Sequence, residues 1–401
     1  MPAPGPTDLL QLSPDFARDP HPAYARLRAL GPVHHVRTPQ GDHVYLVLGH
    51  EACRAAFTDT RLSRDWRHAG DMRQIINTAP DDPGLAHMSM SDPPDHTRLR
   101  RLVAAEFTPR RIQALAPRVQ QITDTLIENM TAAGNRSADL VSALAFPLAM
   151  TVICELLGVP ELDRDTFRRF SNEMMSPTSP QSQAAAYAEQ AAYLPRLIDA
   201  KRAEPGPDLL SALIHTAGED GDRLSGDELI GMCGLLLIAG HETTVNLIAN
   251  GIRALLTHPD QLALLQADMD LIDGAIEEML RYDGPVESSL ERRAVTDIEM
   301  GGVLIPAGST VRIVLADAGR DAARFDAPDR FDIRRDARAH IAFGHGPHYC
   351  LGAPLARLET RTALRTLLER CPHLTADTDL TTLTPVPGML IRGIRELPVR
   401  W

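Results

Sequence analysis

Lysine is almost absent from this 401-residue chain. Of 41 basic side chains only Lys201 is a lysine, so nearly all positive charge sits on arginine. Acids outnumber bases, and the formal net charge of −12 argues against nucleic acid as a partner. Cysteine is scarce and odd in number. The five are widely spread, which argues against a disulfide framework. No stretch approaches the ~20 consecutive apolar residues that span a bilayer. The opening Met1-Pro-Ala-Pro-Gly-Pro-Thr7 is proline-rich and has no apolar run, so neither leader nor anchor is expected, and the location is expected to be cytoplasmic. No repeat period and no linker-like segment divide the chain, so a single domain over residues 1–401 is expected.

What is present is concentrated in one loop, Phe343-Gly-His-Gly-Pro-His-Tyr-Cys350-Leu-Gly-Ala-Pro354. A cysteine ligates metal as the thiolate. Tight-loop N–H groups and a helix N-terminus both stabilise negative charge on its sulfur. Gly344, Gly346 and Gly352 let a flat group approach the main chain. One thiolate against a large planar group is the arrangement of a haem-thiolate centre. Two alternatives stand beside it. One is a buried cysteine acting as a small hydrophobe, the natural reading for Cys53, Cys154, Cys233 and Cys371. The other is a zinc site from His345, His348 and Cys350, which lacks an evident fourth ligand.

The second dense feature is a long helix. Ser225-Gly-Asp-Glu228 reads as a capping box, and Pro259 sets the far limit. About 30 residues give a rod of roughly 45 Å. Leu235 to Ala239 is apolar nearly all round, which places the helix in a core. Gly240-His-Glu-Thr-Thr244 then sets polar groups in its middle. A buried carboxylate is costly unless hydrogen-bonded or reached by water. The bland reading is a satisfied polar patch, with threonine bonding back to the i−4 carbonyl.

Elsewhere the text is mainly helical. A short helix is expected around 22–30, and strands at 33–38 and 44–48 joined by Gln40-Gly41-Asp42. Helices fill about 51–281, with irregular breaks at 61–91 and 171–183, and return at 354–370. The β-rich pieces are placed at about 32–49, 294–315 and 380–401.

The cysteine loop is similar to the haem-binding loop of the cytochrome P450 family, Phe-Gly-x-Gly-x-(Arg/His)-x-Cys-x-Gly. Phe343, Gly344, Gly346, His348, Cys350 and Gly352 fill every fixed position. Ala239-Gly-His-Glu-Thr243 likewise matches (Ala/Gly)-Gly-x-(Asp/Glu)-Thr. The resemblance implies a mainly α fold with minor β, triangular in outline, around a long oxygen-binding helix. It implies haem b with Cys350 as axial ligand of the iron. Ala239 and Gly240 would open a groove for dioxygen, Thr243 would present its hydroxyl there, and Glu242 would connect the site to bulk protons. His96, Arg100, Arg292 (with Arg293 as rival) and His348 would hold the haem carboxylates, a task suited to arginine's planar fork. Glu278 and Arg281 would form a structural ion pair whose third member is expected at Arg330, with Arg334 as the alternative.

The implied activity is monooxygenation of a lipophilic small molecule with O2. Actinobacterial members oxidise macrolides and other secondary metabolites, so hydroxylation or epoxidation of a macrolide or polyketide is expected. A steroid, terpene or fatty acid substrate stays open, as does a peroxide-driven or non-oxygenase haem-thiolate protein. The expected pocket contains Met88, Met90, Leu237, His241, Val286, Ser288, Ser289, Leu290, Met389 and Leu390. Ser288, Ser289 and His241 would supply its hydrogen bonds. Electrons would come from NAD(P)H through a separate ferredoxin and reductase. The ferredoxin would meet a basic face carrying Arg98, Arg101, Arg110, Arg111, Arg334, Arg335 and Arg357. A monomer is expected.

Overall fold

The computed structural model of the chain describes residues 5–68, 82–132, 134, 136–175, 179–215 and 222–401. Helix accounts for 55% of it and strand for 11%, which makes the architecture mainly α. Near the N-terminus, β1 (Thr7–Asp8), α1 (His21–Leu30), β2 (Val33–Arg37) and β3 (His43–Val47) follow in order. Strands β2 and β3 pair antiparallel, Val33 opposite Val47. Gly41, at φ +96°, turns the chain between them. β4 (Leu62–Ser63), β5 (Arg292–Ala294) and β6 (Thr310–Ile313) complete a six-stranded sheet in the order β1-β2-β3-β6-β5-β4. Alternation puts Val33, Val47, Val311 and Ile313 on one buried face, packed on Cys53 and Phe57.

The helices that frame the site are α2 (Asp95–Ala104), α3 (Phe146–Leu156), α4 (Arg164–Met175), α5 (Gly226–Thr257), α6 (Ile272–Asp283) and α7 (Ala353–Arg370). Ser225 caps α5: its hydroxyl accepts from the Glu228 N–H at 3.2 Å, and the Glu228 carboxylate accepts from the Ser225 N–H at 2.8 Å. The 32-residue α5 packs on α3, α6 and α7, and their apolar faces form the largest core cluster. By length and composition α5 could cross a membrane, yet 67% of its most apolar stretch is buried inside the protein. Gly240, His241 and the threonines interrupt that stretch, so a count of consecutive apolar residues does not find it.

Two expectations differ from the fold. The break at 171–183 is shorter: α4 runs to Met175 and the next helix starts at Pro180, with 176–178 outside the described residues. The C-terminal β text resolves into one strand, Pro398–Arg400, and isolated bridges such as Val286–Ile391 and Pro385–Ile394. Pro385 and Pro387 lack the N–H groups a longer ladder would use.

Candidate functional site

Cys350 ends a loop shaped by glycines in left-handed backbone, Gly344 at φ +76° and Gly346 at φ +72°. A Cβ on Gly346 would lie 2.8 Å from the Thr58 methyl, so the loop sits hard against that residue. The Cys350 N–H donates to the Phe343 carbonyl at 2.9 Å and closes the loop. α7 starts directly after, with Gly352 at its N-cap and proline in its first turn. Cys350 is exposed, yet the atoms packed around its sulfur desolvate it and push the thiol up. The N–H groups of Gly352 and Ala353 and the guanidiniums of Arg100 and Arg357 pull the other way. The thiolate therefore needs a cation at the sulfur to form readily. Among the described residues no three His, Cys, Asp or Glu side chains come together to hold a metal, so His345, His348 and Cys350 do not build a zinc site.

Beside the loop, basic side chains gather, with Asp92 as the acid that acts on both Arg64 and Arg292. The His96 and His348 rings lie 4.1 Å apart, centroid to centroid. Both ring nitrogens of His96 are buried and unpartnered, as is Nε of Arg292. Arg292 donates from Nη1 to the Leu62 carbonyl at 3.1 Å, and Arg100 from Nη2 to the Tyr349 carbonyl at 2.7 Å. The structure adds Arg64, which sequence reasoning missed; buried, it grips the Ser89 carbonyl from Nε (3.0 Å) and Nη2 (2.7 Å). Burial and the neighbouring Arg292 hold Arg64 down at about 9. Burial holds Arg292 at about 10. Burial, then His96, Arg292, Arg64 and Arg100, hold His348 at about 2. His96, Arg100 and Gly346 also line a cleft of about 420 Å³. Orphaned buried donors and crowded positive charge are the pattern of a site for a dianionic group, and haem with its two carboxylates fits it.

On α5, Ala239 is exposed although it lies mid-helix, so the helix presents an uncovered face there. The Thr243 hydroxyl donates to the Ala239 carbonyl at 3.0 Å. Asn246, a second residue missed from sequence, donates from Nδ2 to both the carbonyl (2.8 Å) and Oε1 (3.1 Å) of Glu242. A Cβ on Gly240 would lie 2.5 Å from Ile153 Cδ1 on α3, so the missing side chain lets the two helices approach there.

Comparison with known proteins settles the family. The protein-family model for cytochrome P450 matches residues 186–395. The chain is 56% identical to cytochrome P450 monooxygenase PikC of Streptomyces venezuelae, covering 98% of this chain and 94% of that one. It is 42% identical to mycinamicin IV hydroxylase/epoxidase of Micromonospora griseorubida, covering 94% of each. Among solved structures it is similar to the myxobacterial cytochrome P450 CYP267B1 in complex with myristic acid: TM-score 0.91, 40% identity, covering 97% of this chain and 98% of that one. This chain is a cytochrome P450. It is an oxidoreductase, a haem monooxygenase that draws electrons from external redox partners. The bound haem supplies the iron centre for O2 chemistry.

The P450's ion pair is fully buried. Arg281 donates to Glu278 Oε2 at 2.7 Å and Oε1 at 2.8 Å, and to the carbonyls of Gly319 (2.7 Å), Pro328 (2.7 Å) and Arg330 (3.0 Å). All five N–H donors are used. The third side chain is Arg335, whose Nε lies 3.2 Å from Glu278 Oε1. Arg330 offers only its carbonyl; its side chain is 68% exposed, 3.6 Å from Asp332. Arg334 is an exposed neighbour and contacts neither member.

The expected pocket residues divide. Met88 and Leu237 are buried in the helical core, and the Met90 sulfur accepts from Arg64 at 3.1 Å. Val286 and Leu390 are half-buried, and Leu290 is exposed. The polar members already make hydrogen bonds within the protein. Ser288 donates to the Met389 carbonyl at 2.6 Å, and Ser289 accepts from the Ile313 N–H at 3.1 Å. His241 is fully buried and bonded to Leu237 and Ser171. Met389 packs into the N-terminal core with Leu9, Phe16 and Tyr24.

The arginine face is largely neutralised. Arg98 pairs with Asp222 and Glu228, Arg101 with Asp222, and Arg111 with Glu106. Arg335 pairs with Glu278, and Arg357 with Glu277. Among the described residues, only Arg110 and Arg334 of the seven have no carboxylate in reach.

Proposed function

We propose that this P450 hydroxylates or epoxidises a macrolide or related polyketide, with electrons delivered by a ferredoxin and its NAD(P)H-dependent reductase. The observation that carries the reading is the uncovered stretch of α5, where the Thr243 hydroxyl and the Glu242 carboxylate flank exposed Ala239. Full-length similarity to PikC and to a mycinamicin IV hydroxylase/epoxidase supports the substrate class.

Each site residue has its part. Cys350 would hold the haem iron through its sulfur, its charge supported by Gly352, Ala353, Arg100 and Arg357. His96, Arg100, Arg292 and His348, with Arg64 behind them, hold the carboxylates. Thr243 would offer its hydroxyl, now on the Ala239 carbonyl, to O2 at the haem, and Glu242, steadied by Asn246, would link that site to bulk protons. The apolar surroundings of Met88 and Leu237 bind the lipophile and exclude water. The enzyme acts as one domain and a monomer in the cytoplasm.

The test is a spectral titration of the haem protein against macrolides, steroids and fatty acids. Turnover of each binder is then measured with NADPH, ferredoxin and reductase, and with peroxide alone. Tight macrolide binding with reductase-driven product supports the reading. Product from peroxide alone, or turnover confined to fatty acids or steroids, overturns it.

A further inference from the structure

Arg64 joins two regions that lie far apart in the chain. It follows β4 directly and is 7% exposed. Its N–H donates to Asp92 Oδ1 at 2.9 Å, just ahead of α2. Its guanidinium reaches into residues 87–91. Nε and Nη2 both donate to the Ser89 carbonyl, at 3.0 and 2.7 Å, and Nη2 also meets the Met90 sulfur at 3.1 Å. Nη1 donates to the Glu291 carbonyl, one residue before Arg292. Met88–Met90 is a single helical turn. The Met90 N–H and the Ser91 hydroxyl both donate to the His87 carbonyl, at 3.0 Å each, and Met88 packs into the helical core. Arg64 therefore ties this turn, where the substrate pocket is expected, to the strand that carries Arg292.

The side-chain partners of Arg64 are all uncharged. Among the described residues it makes no ion pair; Asp92 and Glu291 attract it, each more weakly than Arg292 repels it. A buried guanidinium is costly without a compensating anion. A neutral amide could hold the Ser89 carbonyl with far less desolvation, so the charge answers something beyond the turn. Its field reaches His87 at one end of the turn and His348 in the cysteine loop. We infer that Arg64 is a positioning residue that couples the haem carboxylates to the Met88–Met90 turn. A carboxylate among His96, Arg100, Arg292 and His348 offsets the repulsion between Arg64 and Arg292. Arg64 then keeps its place on the Ser89 carbonyl and the Met90 sulfur, and the turn stays closed on it. An uncharged group in the same position leaves the repulsion standing and the hold on the turn weaker. Such coupling is reciprocal: a held turn favours the carboxylates by as much as the carboxylates favour the turn.

The inference rests on the haem carboxylates occupying that cluster, and the experiment separates the two claims. The holoenzyme is reconstituted with haemin and with haemin dimethyl ester, which has the same iron and ring but no carboxylate charge. Amide hydrogen exchange at residues 87–91 and the rate of porphyrin loss to excess apomyoglobin are measured for the parent, Arg64→Gln, Arg64→Lys and Arg292→Gln. In the parent, the ester form exchanges at 87–91 about fivefold or more faster than the haemin form, and it loses its porphyrin sooner. Arg64→Gln exchanges fast with either porphyrin and narrows the difference in porphyrin loss. Arg64→Lys keeps the charge and retains part of both differences. Arg292→Gln surrenders haemin faster than the parent does. Equal exchange at 87–91 for the two porphyrins in the parent, with the ester still lost sooner, overturns the coupling alone, and this arm needs no variant to fold. A parent-like difference in Arg64→Gln overturns it as well. Equal loss of haemin and ester from the parent, unmoved by Arg292→Gln, overturns the carboxylate site and the coupling with it.

Discussion

The Thr243 hydroxyl donates to the carbonyl oxygen of Ala239, 3.0 Å away and one turn back along α5. Threonine often bonds this way in helices, so the contact alone says little. Here it closes on an exposed residue in the middle of an otherwise buried helix, and Glu242 is its neighbour. Thr243→Ala is therefore expected to fold, bind haem and bind substrate, while diverting electrons into hydrogen peroxide. Thr243→Ser should retain most coupling. Product and peroxide per NADPH measure both; full coupling in the alanine variant removes Thr243 from oxygen handling.

Glu278→Ala should destabilise the fold by about 3–5 kcal/mol, because it leaves Arg281 buried without its carboxylate. Arg335 would lose the same partner. Arg330→Ala should change little, since Arg330 contributes a main-chain oxygen. Denaturant midpoints of the two variants decide between side-chain and main-chain roles. A large loss in Arg330→Ala contradicts the assignment to Arg335.

Acid stability carries a signature of Glu277. Burial alone would raise this carboxyl, but Arg357 at 2.6 Å and His340 at 3.1 Å hold it at about 2, against an ordinary 4.5. A carboxyl lowered by folding stabilises the protein above its unfolded value, and that contribution disappears as pH falls through the folded one. The parent should therefore lose stability between roughly pH 4.5 and 2 more steeply than Glu277→Gln. Parallel acid-unfolding curves would contradict this.

Gly393 lies under Asn246: a Cβ there would stand 1.6 Å from Asn246 Oδ1. Gly393→Ala should cost about 1–3 kcal/mol through overcrowding. The cost should shrink markedly in an Asn246→Ala background, because the two residues touch. Additive losses in thermal unfolding would contradict the contact.

Reduction by ferredoxin tests the remaining positive face. With Arg98, Arg101, Arg111, Arg335 and Arg357 engaged by carboxylates, Arg110 and Arg334 should carry the steering. Arg110→Glu/Arg334→Glu should slow reduction at low salt by about tenfold and leave substrate affinity alone. Equal rates would remove the docking face.

Much of the fold was legible because its signals are local. The Ser225–Glu228 box and Pro259 bracket α5 to within a residue, and the 33–48 hairpin follows alternating burial around Gly41. The cysteine loop carried its own glycine spacing. What was missed lies in contacts between distant segments. Register cannot tell that Arg330 turns its carbonyl to Arg281 while Arg335 doubles back to Glu278. Ser288, Ser289 and His241 read as free polar groups because their partners Met389, Ile313 and Ser171 come from other strands, loops and helices. Arg64 sat in a segment with no periodic pattern at all.

Sulfur ligation of iron by Cys350 underlies every role proposed for this site, and the absorbance of the reduced, carbon monoxide-bound protein tests it most directly. Cys350→Ser should fold yet lose the band diagnostic of a thiolate ligand. An unchanged band in that variant would contradict the account.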